Sequence, residues 1–319
     1  RQGALVHDLV IRRATIVDGT GREKFEGDVA VDNGIITFVG DLPDGERGAE
    51  EIDARDLLLT PGFVDVHTHY DGQATWDPLL SPSCWHGVTT AVMGNCGVGF
   101  APARPDEHDW LIELMEGVED IPGTALAEGI TWEWESFPEY LDALARFPRA
   151  VDVVAQVPHG ALRAYVMGHR AVEEAPPTDD DLAEMARLVR EAMLAGAFGF
   201  STNRLPLHTS LDGTPVPGTF AEERELHAIV SVLGELGTGI VEVVTAGSMG
   251  EDPNGYERDL ALFRRLSLAT GRPVTYGLSQ IEHMPDKWRV ALGLTEDAAA
   301  AGAILVPQVP ARPLGLLIG

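Results

Sequence analysis

The chain has 319 residues, and its 50 Asp and Glu against 23 Lys and Arg give a formal net charge of −27. This balance argues against nucleic-acid and anionic-membrane partners, which both require basic surface. The proportions of 45% hydrophobic and 23% charged residues are those of a globular protein. No stretch approaches the roughly 18 apolar residues of a membrane span, so we expect a soluble, cytoplasmic protein.

Cysteine and lysine are both scarce. Two cysteines, Cys84 and Cys96, are too few for a disulfide framework and fit a reducing compartment. Lysine occurs only as Lys24 and Lys287. Any mechanism that needs a lysine is therefore restricted to these two positions.

The first 60 residues predict a small all-β layer. Short β-like runs alternate there with turn signals such as Asp18-Gly19, Asn33-Gly34 and Asp44-Gly45. The predicted strands cover residues 8–13, 15–18, 28–32, 34–39 and 57–60. We interpret residues 1–60 as part of a β-sandwich.

From Pro61 onward the pattern becomes that of parallel βα units, in which short apolar runs alternate with helical stretches. The predicted strands cover residues 63–67, 89–94, 151–157, 197–202, 239–245, 273–277 and 304–309. The clearest helix covers 178–195, where Thr178 can cap and Gly196 can end the helix. Two more are predicted at 257–269 and 295–301.

These units predict an α/β fold, a (β/α)₈ TIM barrel over residues 61–319 of which seven strands are counted. Such barrels usually need about 250 residues, and this part is already that long. We expect two long Pro/Gly-rich connections, at 101–140 and 205–220, to lengthen it. We also expect that a missing C-terminal part or a second polypeptide completes the barrel.

The run Gly62-Phe63-Val64-Asp65-Val66-His67-Thr68-His69 predicts a metal site. An apolar strand that ends in His-x-His places two imidazoles on one side of the strand, at the rim where barrels gather their active-site groups. The alternative is a pair of surface-loop histidines. We favour the metal site because the motif closes the first barrel strand.

Cys96 follows the next strand, among Gly94, Gly97 and Gly99, which allow the backbone to approach a ligand closely. A thiolate at this position could bind or bridge metal ions. Taken alone, a cysteine after an apolar run is more often inert and buried. We assign Cys84 to packing.

Several motifs together resemble the amidohydrolase superfamily, and specifically its D-aminoacylase branch of N-acyl-D-amino-acid deacylases. They are the run from Pro61 to Gly72, the segment from Trp85-His86-Gly87 through Cys96-Gly97, Met115-Glu116-Gly117-Val118-Glu119-Asp120-Ile121-Pro122, His159-Gly160-Ala161-Leu162-Arg163 and Phe200-Ser201-Thr202. The resemblance implies a zinc-dependent barrel, with one or two divalent metal ions, flanked by a small β-sandwich built from both chain ends. It also implies hydrolysis of a small-molecule amide.

The resemblance implies that His67, His69 and Cys96 are metal ligands. Other amidohydrolases bridge two metals through a modified lysine on the fourth strand, and neither lysine of this chain lies there. The family's histidine at the fifth strand is replaced, and Glu242 is the residue we expect to ligate in its place. The sixth-strand histidine is absent as well, and Glu282 or His283 would reach the site only from a shifted loop.

The resemblance also places a catalytic aspartate on the eighth strand, which lies outside this sequence. It would act as the general base and then as the general acid. We therefore leave the catalytic residue unknown and expect the chain to be an N-terminal fragment or one of two polypeptides.

His159 and Arg163 match the family's His-Gly-x-Leu-Arg motif and are predicted to bind a substrate carboxylate by charge-assisted hydrogen bonds. The alternative for Arg163 is an ion pair with one of the many acids. We expect the other histidines, His208 among them, to be solvated or hydrogen-bonded. We expect the aromatic residues Trp132, Trp134, Phe137 and Tyr140 to pack rather than to form a lid.

The favoured function is metal-dependent hydrolysis of a C–N bond, most simply the amide of an N-acyl-D-amino acid. A degenerate, non-catalytic subunit or binding module is the alternative from another class, and the loss of two histidines supports it. A third possibility keeps the enzyme and changes the bond to a cyclic imide or lactone, because the same metal chemistry attacks each carbonyl.

Overall fold

The computed structural model describes residues 6–310. They separate into two compact units whose boundary lies between Phe63 and Val64. Each unit is built around its own sheet.

One five-stranded sheet forms the first unit. Its strands are β1 (Val6–Ile16), β2 (Phe25–Asp32), β3 (Ile35–Gly40), β4 (Arg47–Asp53) and β5 (Leu58–Leu59). The order is β3-β2-β1-β4, with β5 also paired to β1. Asn33 and Gly34 both adopt positive φ, at 52° and 75°, as a tight hairpin turn between β2 and β3 requires.

The prediction for this unit was right in class and incomplete in detail. Residues 8–13 and 15–16 belong to one strand, β1, and not to two, and the predicted residues 17–18 lie beyond its end. Strand β4 was missed because its sequence, Arg-Gly-Ala-Glu-Glu-Ile-Asp, has no apolar alternation, and its parallel pairing with β1 is a tertiary contact. The described residues of this unit form a single layer, so the second layer of the predicted sandwich stays a prediction.

The second unit contains a seven-stranded sheet whose strands follow one another in chain order. They are β6 (Phe63–Asp65), β7 (Val88–Met93), β8 (Asp152–Pro158), β9 (Gly199–Asn203), β10 (Ile240–Val244), β11 (Val274–Gly277) and β12 (Leu305–Gln308). The ladders from β7 to β12 are parallel. This confirms the predicted succession, an incomplete (β/α)₈ barrel. All these strands point their carboxyl ends toward one edge.

Helices connect these strands. They are α1 (His108–Glu119), α2 (Gly123–Gly129), α3 (Phe137–Arg146), α4 (His159–Met167), α5 (His169–Val172), α6 (Asp179–Ala195), α7 (Glu223–Leu236), α8 (Gly255–Thr270) and α9 (Lys287–Ala300), with 3₁₀ turns at Gln73–Thr75 and Ser83–His86. Among the described helices, none has the length and apolar character that crossing a membrane requires.

The segment 101–140, predicted as a Pro/Gly-rich connection, holds α1, α2 and the start of α3. The prolines and glycines favoured a loop, and the amphipathic pattern of α1, which buries Leu111, Leu114 and Met115, was not predicted. Trp134, Phe137 and Tyr140 are buried in the core, as the packing interpretation expected. The second connection, 205–220, has no helix or strand and contains one isolated bridge, between Thr209 and Pro215.

Helix α6 follows its prediction closely and allows a test of the capping signal. The Thr178 side chain accepts a hydrogen bond from the Asp181 N–H, while the Asp181 side chain accepts one from the Thr178 N–H, and Gly196 ends the helix in the left-handed conformation.

We expect T178A to lower the free energy of unfolding by about 1 kcal/mol, measured by urea denaturation. T178S keeps the hydroxyl and serves as the control; an equal loss in both variants would contradict the capping role.

Candidate metal centre

The two histidines of the His-x-His motif lie just after β6 and are positioned through the residue between them. The Thr68 N–H and hydroxyl both donate to the Val92 carbonyl at the end of β7, at 3.0 and 2.7 Å. The Asn95 amide donates to the Thr68 carbonyl at 3.0 Å. Because Thr68 is held against β7, His67 and His69 both lie on the opposite side, with ring centroids 5.5 Å apart.

The turn after β7 brings Cys96 to these rings. Gly94 has φ of +75°, and a Cβ there would meet the Gln156 carbonyl oxygen at 2.2 Å, so only glycine fits. Cys96 itself has φ of 57°, a conformation that is rare for residues with a side chain. The Gly97 N–H donates to Ser201 Oγ at 3.1 Å and helps to hold the turn.

One donor atom from each of His67, His69 and Cys96 lies within 4.8 Å of the other two. Cys96 Sγ is 3.1 Å from His67 Nε2 and 3.4 Å from His69 Nε2. Two imidazole nitrogens and a thiol sulfur that converge in this way are the ligand types that zinc prefers. The structure thus brings together three of the four residues predicted as ligands.

His67 is oriented from behind by a residue that the sequence did not single out. Its Nδ1 donates to Gln308 Oε1 at 2.9 Å, at the end of β12. With the proton on Nδ1, the lone pair of Nε2 faces Cys96, which is the orientation that metal-ligating histidines receive from their outer partners. Its position at the carboxyl end of a barrel strand could have indicated Gln308 as a site residue from the sequence.

Glu242, the fourth predicted ligand, lies outside the converging group. Its Oε2 accepts the Cys96 N–H at 2.9 Å, and its Oε1 lies 3.7 Å from His67 Nδ1, on the side of the ring away from Cys96. It is fully buried, and burial raises the pKa of its carboxyl. Glu242 therefore holds the Cys96 turn through Oε2, and its role as a metal ligand stays a prediction.

Two further carboxyl groups lie beside the donors. Glu119, the last residue of α1, places Oε1 3.1 Å from His69 Nε2 without a hydrogen bond between them. Burial, together with the charge of Asp71, raises the pKa of Glu119 to about 8. Burial raises the pKa of Asp71 to about 7. The sequence indicated both residues only as members of family motifs and not as site residues.

The electrostatics disfavour a free thiolate at Cys96. Burial, followed by the charges of Glu119 and Glu242, raises the pKa of the Cys96 thiol well above its usual value. Burial likewise lowers the pKa of His69 well below its usual value, so the imidazole is neutral. Neutral imidazoles are ready to bind a cation, whereas the thiol requires a positive charge beside it to lose its proton.

His159 and Arg163, predicted to bind substrate, are buried and already have protein partners. His159 Nδ1 lies 2.8 Å from Thr202 Oγ1, and its Nε2 lies 3.0 Å from Glu225 Oε1. Each guanidinium nitrogen of Arg163 lies close to a protein oxygen. Nε lies 3.0 Å from Glu225 Oε1. Nη1 donates to Glu174 Oε2 at 2.8 Å, and Nη2 donates to the Ala175 carbonyl at 2.6 Å. This is the ion-pair alternative for Arg163, and the carboxylate-binding role of His159 and Arg163 stays a prediction.

Two other histidines lie elsewhere than expected. His208 was expected to be solvated or hydrogen-bonded, but its Nδ1 is buried and has no hydrogen-bond partner among the described residues. His283 is exposed, and its Nε2 lies 3.3 Å from the Gly250 carbonyl oxygen, so it does not replace the absent sixth-strand histidine.

These features are a sequential parallel barrel sheet and a candidate metal centre, a His-x-His and cysteine group that lies beyond the ends of the first strands. A model of the amidohydrolase family matches residues 50–311. The chain belongs to the amidohydrolase family.

Comparison with individual proteins supports the D-aminoacylase branch. The chain is 38% identical over 195 residues to an N-acyl-D-aspartate deacylase of Alcaligenes xylosoxydans xylosoxydans, an alignment that covers 61% of this chain and 36% of the relative. It superposes on a crystal structure of D-aminoacylase with a TM-score of 0.76 at 27% identity, covering 95% of this chain and 58% of the other. An N-acyl-D-glutamate deacylase from Bordetella bronchiseptica, solved with zinc and a phosphonate inhibitor, gives a TM-score of 0.76 at 26% identity, with 96% and 59% covered.

The predicted resemblance to this branch is thereby confirmed. The chain spans about two fifths of the length of the curated relatives that it matches.

The Gly94 position allows a test of how strictly the turn positions Cys96. We expect G94A to displace the turn, because the new Cβ would meet Gln156, and to lower metal content per chain by at least about tenfold. Metal would be measured by elemental analysis after gel filtration. G293A, where a Cβ would meet nothing within 4 Å, is the control. Full metal retention in G94A would show that the turn can shift without loss of the site.

A pair of substitutions separates the two roles of Glu242. Glutamine keeps an oxygen that accepts the Cys96 N–H, whereas alanine leaves this buried donor unpaired. If Glu242 holds the turn, E242Q retains the metal affinity to within about threefold, and E242A loses about tenfold or more. A competition titration with a chromophoric chelator gives both values. Equal losses in the two variants would restore the ligand assignment.

Proposed function

We propose that this chain forms the metal-binding part of a zinc-dependent hydrolase that cleaves the amide bond of N-acyl-D-amino acids. The observation that carries the proposal is the convergence of His67 Nε2, His69 Nε2 and Cys96 Sγ. The names of the relatives, deacylases of N-acyl-D-aspartate and N-acyl-D-glutamate and a D-aminoacylase, supply the substrate class.

The residues of this site fit a bound divalent cation. Glu119 Oε1 and Glu242 Oε1 are buried without hydrogen-bond partners, and uncompensated buried polar atoms are costly. Glu119, Glu242 and Asp71 also concentrate potential negative charge around the thiol. A cation between the imidazoles and the thiol would offset this charge and favour the thiolate.

The roles of the chain's own residues follow from their positions. His67, His69 and Cys96 would hold the metal, which when bound polarises a carbonyl and activates water. Gln308 orients His67, and Glu242 holds the backbone of Cys96.

Glu119 is the carboxyl that we propose to hold a proton at its Oε1, beside the donors. Its pKa of about 8 allows it to exchange a proton near neutral pH.

Metal content is the first test. We expect the isolated chain to hold about one or two equivalents of zinc, and C96A to hold less than about a tenth of an equivalent, since a zinc site rarely survives on two ligands. C84A is the matched control, because Cys84 packs against the core and has no part in the donor group. Both variants are compared by elemental analysis and by thermal unfolding.

The same preparations test the reaction. N-acyl-D-amino acids would be screened with the metal-loaded chain, and any turnover should disappear after treatment with a chelator and return with added zinc. Turnover retained in metal-free C96A would contradict the mechanism. Zinc binding with turnover of cyclic imides or lactones alone would overturn the substrate class, and zinc binding without any turnover would support the non-catalytic alternative.

A further inference from the structure

Two buried amide side chains, Asn95 and Gln156, connect the segment of the two histidines to the turn of the cysteine. Asn95 directly precedes Cys96 and is 0% exposed, and Gln156 lies in the second half of β8 and is 1% exposed. These two residues are called the amide pair below. Neither is a residue type that zinc prefers as a ligand, so any role at the metal centre must act through other residues.

Asn95 uses both polar atoms of its side chain. Its Nδ2 donates to the Thr68 carbonyl and to the Val92 carbonyl, both at 3.0 Å, and its Oδ1 accepts from Gln156 Nε2 at 2.8 Å. Because carbonyl oxygens only accept, the amide nitrogen of Asn95 must face the two carbonyls and its oxygen must face Gln156. This fixes the direction of the series of bonds, from Gln156 through Asn95 to Thr68.

The bond from Asn95 to Thr68 reaches both imidazoles, because Thr68 lies between the two histidines of the His-x-His motif. The Val92 carbonyl also accepts from the Thr68 N–H and hydroxyl, at 3.0 and 2.7 Å. One side chain, next to Cys96 in the chain, therefore binds the His-x-His segment and the end of β7 together. A shift of Asn95 would displace the thiol and the imidazoles relative to one another.

Gln156 holds the turn after β7 through its backbone as well as its side chain. Its Nε2 donates to Asn95, and a Cβ on the preceding Gly94 would meet the Gln156 carbonyl oxygen at 2.2 Å, so the turn lies directly on this residue of β8. Gln156 Oε1 is buried and has no hydrogen-bond partner among the described residues, which is unfavourable. A leucine of similar size would avoid this cost, so the contribution of the glutamine is the donor that it offers to Asn95.

The cysteine turn is thus restrained from two sides. The Asn95 carbonyl accepts the Val98 N–H at 3.0 Å within the turn, and Glu242 on β10 accepts the Cys96 N–H at 2.9 Å. Cys96 has a positive φ, a conformation that persists only where the surrounding bonds impose it. Glu242 provides such a restraint from β10, and the amide pair provides the one from β8.

We propose that Asn95 and Gln156 are positioning residues, which hold the Cys96 thiol in a fixed place relative to the two imidazoles and thereby set the affinity and the coordination geometry of the metal centre. Gln156 acts through Asn95, and Asn95 acts through the backbone of Thr68 and through its own bond to Cys96. The inference rests on the metal site of the proposed function and is independent of its substrate.

The test measures zinc affinity and the absorption spectrum of the cobalt-substituted chain. Zinc affinity comes from competition with a chromophoric chelator, and the visible bands of Co²⁺ report the geometry of its ligands. The variants are N95A, Q156L and the double variant that carries both changes. S267A is the matched control, because Ser267 Oγ is a buried side-chain group that accepts the Ile304 N–H at 2.8 Å, at the amino end of β12.

We expect Q156L to bind zinc about tenfold more weakly than the wild type, and N95A at least as weakly, each with altered cobalt bands. Because Gln156 acts through Asn95, the double variant should bind zinc as N95A does, to within about threefold. S267A should keep the zinc affinity and the cobalt bands of the wild type, even with a lower unfolding temperature. A merely structural role of the amide pair would lower the unfolding temperature and leave the cobalt bands unchanged.

Three results would overturn the inference alone. Wild-type affinity and cobalt bands in Q156L, which keeps the size of the side chain, would remove the role of the pair even if N95A does not fold. Losses that add in the double variant would show that Gln156 does not act through Asn95. A loss of zinc affinity in S267A equal to that in Q156L would show a general effect of lower stability.

The proposed function fails in a different way. Absence of zinc and cobalt binding in the wild type would overturn the proposed function and the inference together. Wild-type metal binding without turnover of any N-acyl-D-amino acid would overturn the proposed activity alone, and the affinities and spectra of the variants would still decide the role of the amide pair.

Discussion

The hydrogen bond from the Cys96 N–H to Glu242 is the contact on which the rest of the site depends. It joins the turn after β7 to the middle of β10, residues 146 positions apart in sequence, inside the buried centre of the sheet. Cys96 has a positive φ, which costs free energy for a residue with a side chain. A buried carboxylate that accepts this N–H compensates for that strain and fixes the sulfur between the two imidazoles.

The charge distribution around the donors has a simple physical consequence. Glu119, Asp71 and Glu242 are packed beside a thiol and neutral imidazoles, and burial raises the pKa of all three carboxyl groups. Such a cluster is unfavourable as a purely structural element, because the basic group beside Glu119 is the neutral imidazole of His69, and because Asp71 Oδ2 and Glu119 Oε1 are buried without hydrogen-bond partners. A bound cation resolves this conflict, which is why the site is better understood as a metal centre than as a core that tolerates polar groups.

The buried ion pairs of Arg163 connect three segments of the barrel unit. Arg163 links Glu225 on α7 to Glu174 before α6, and Glu174 in turn holds the backbone of Gly218. Removal of one partner of such a buried ion pair strongly destabilises a protein, because it leaves the other charge uncompensated. The hydrogen bond from the Gly218 N–H to Glu174 also ties the loop between β9 and α7 to this buried network.

The sequence by itself determined the βα succession, because strand and helix periodicities are local properties and each barrel strand pairs with its neighbour in the chain. It also indicated His67, His69 and Cys96, since the carboxyl ends of consecutive parallel strands meet at one edge. Only the tertiary structure decided that Glu242 accepts the Cys96 N–H, that Arg163 pairs with Glu174 and Glu225, and that Glu119 and Gln308 contact the two histidines. These contacts connect residues far apart in the chain, and their geometry depends on how helices and loops pack, which no local pattern of residues encodes.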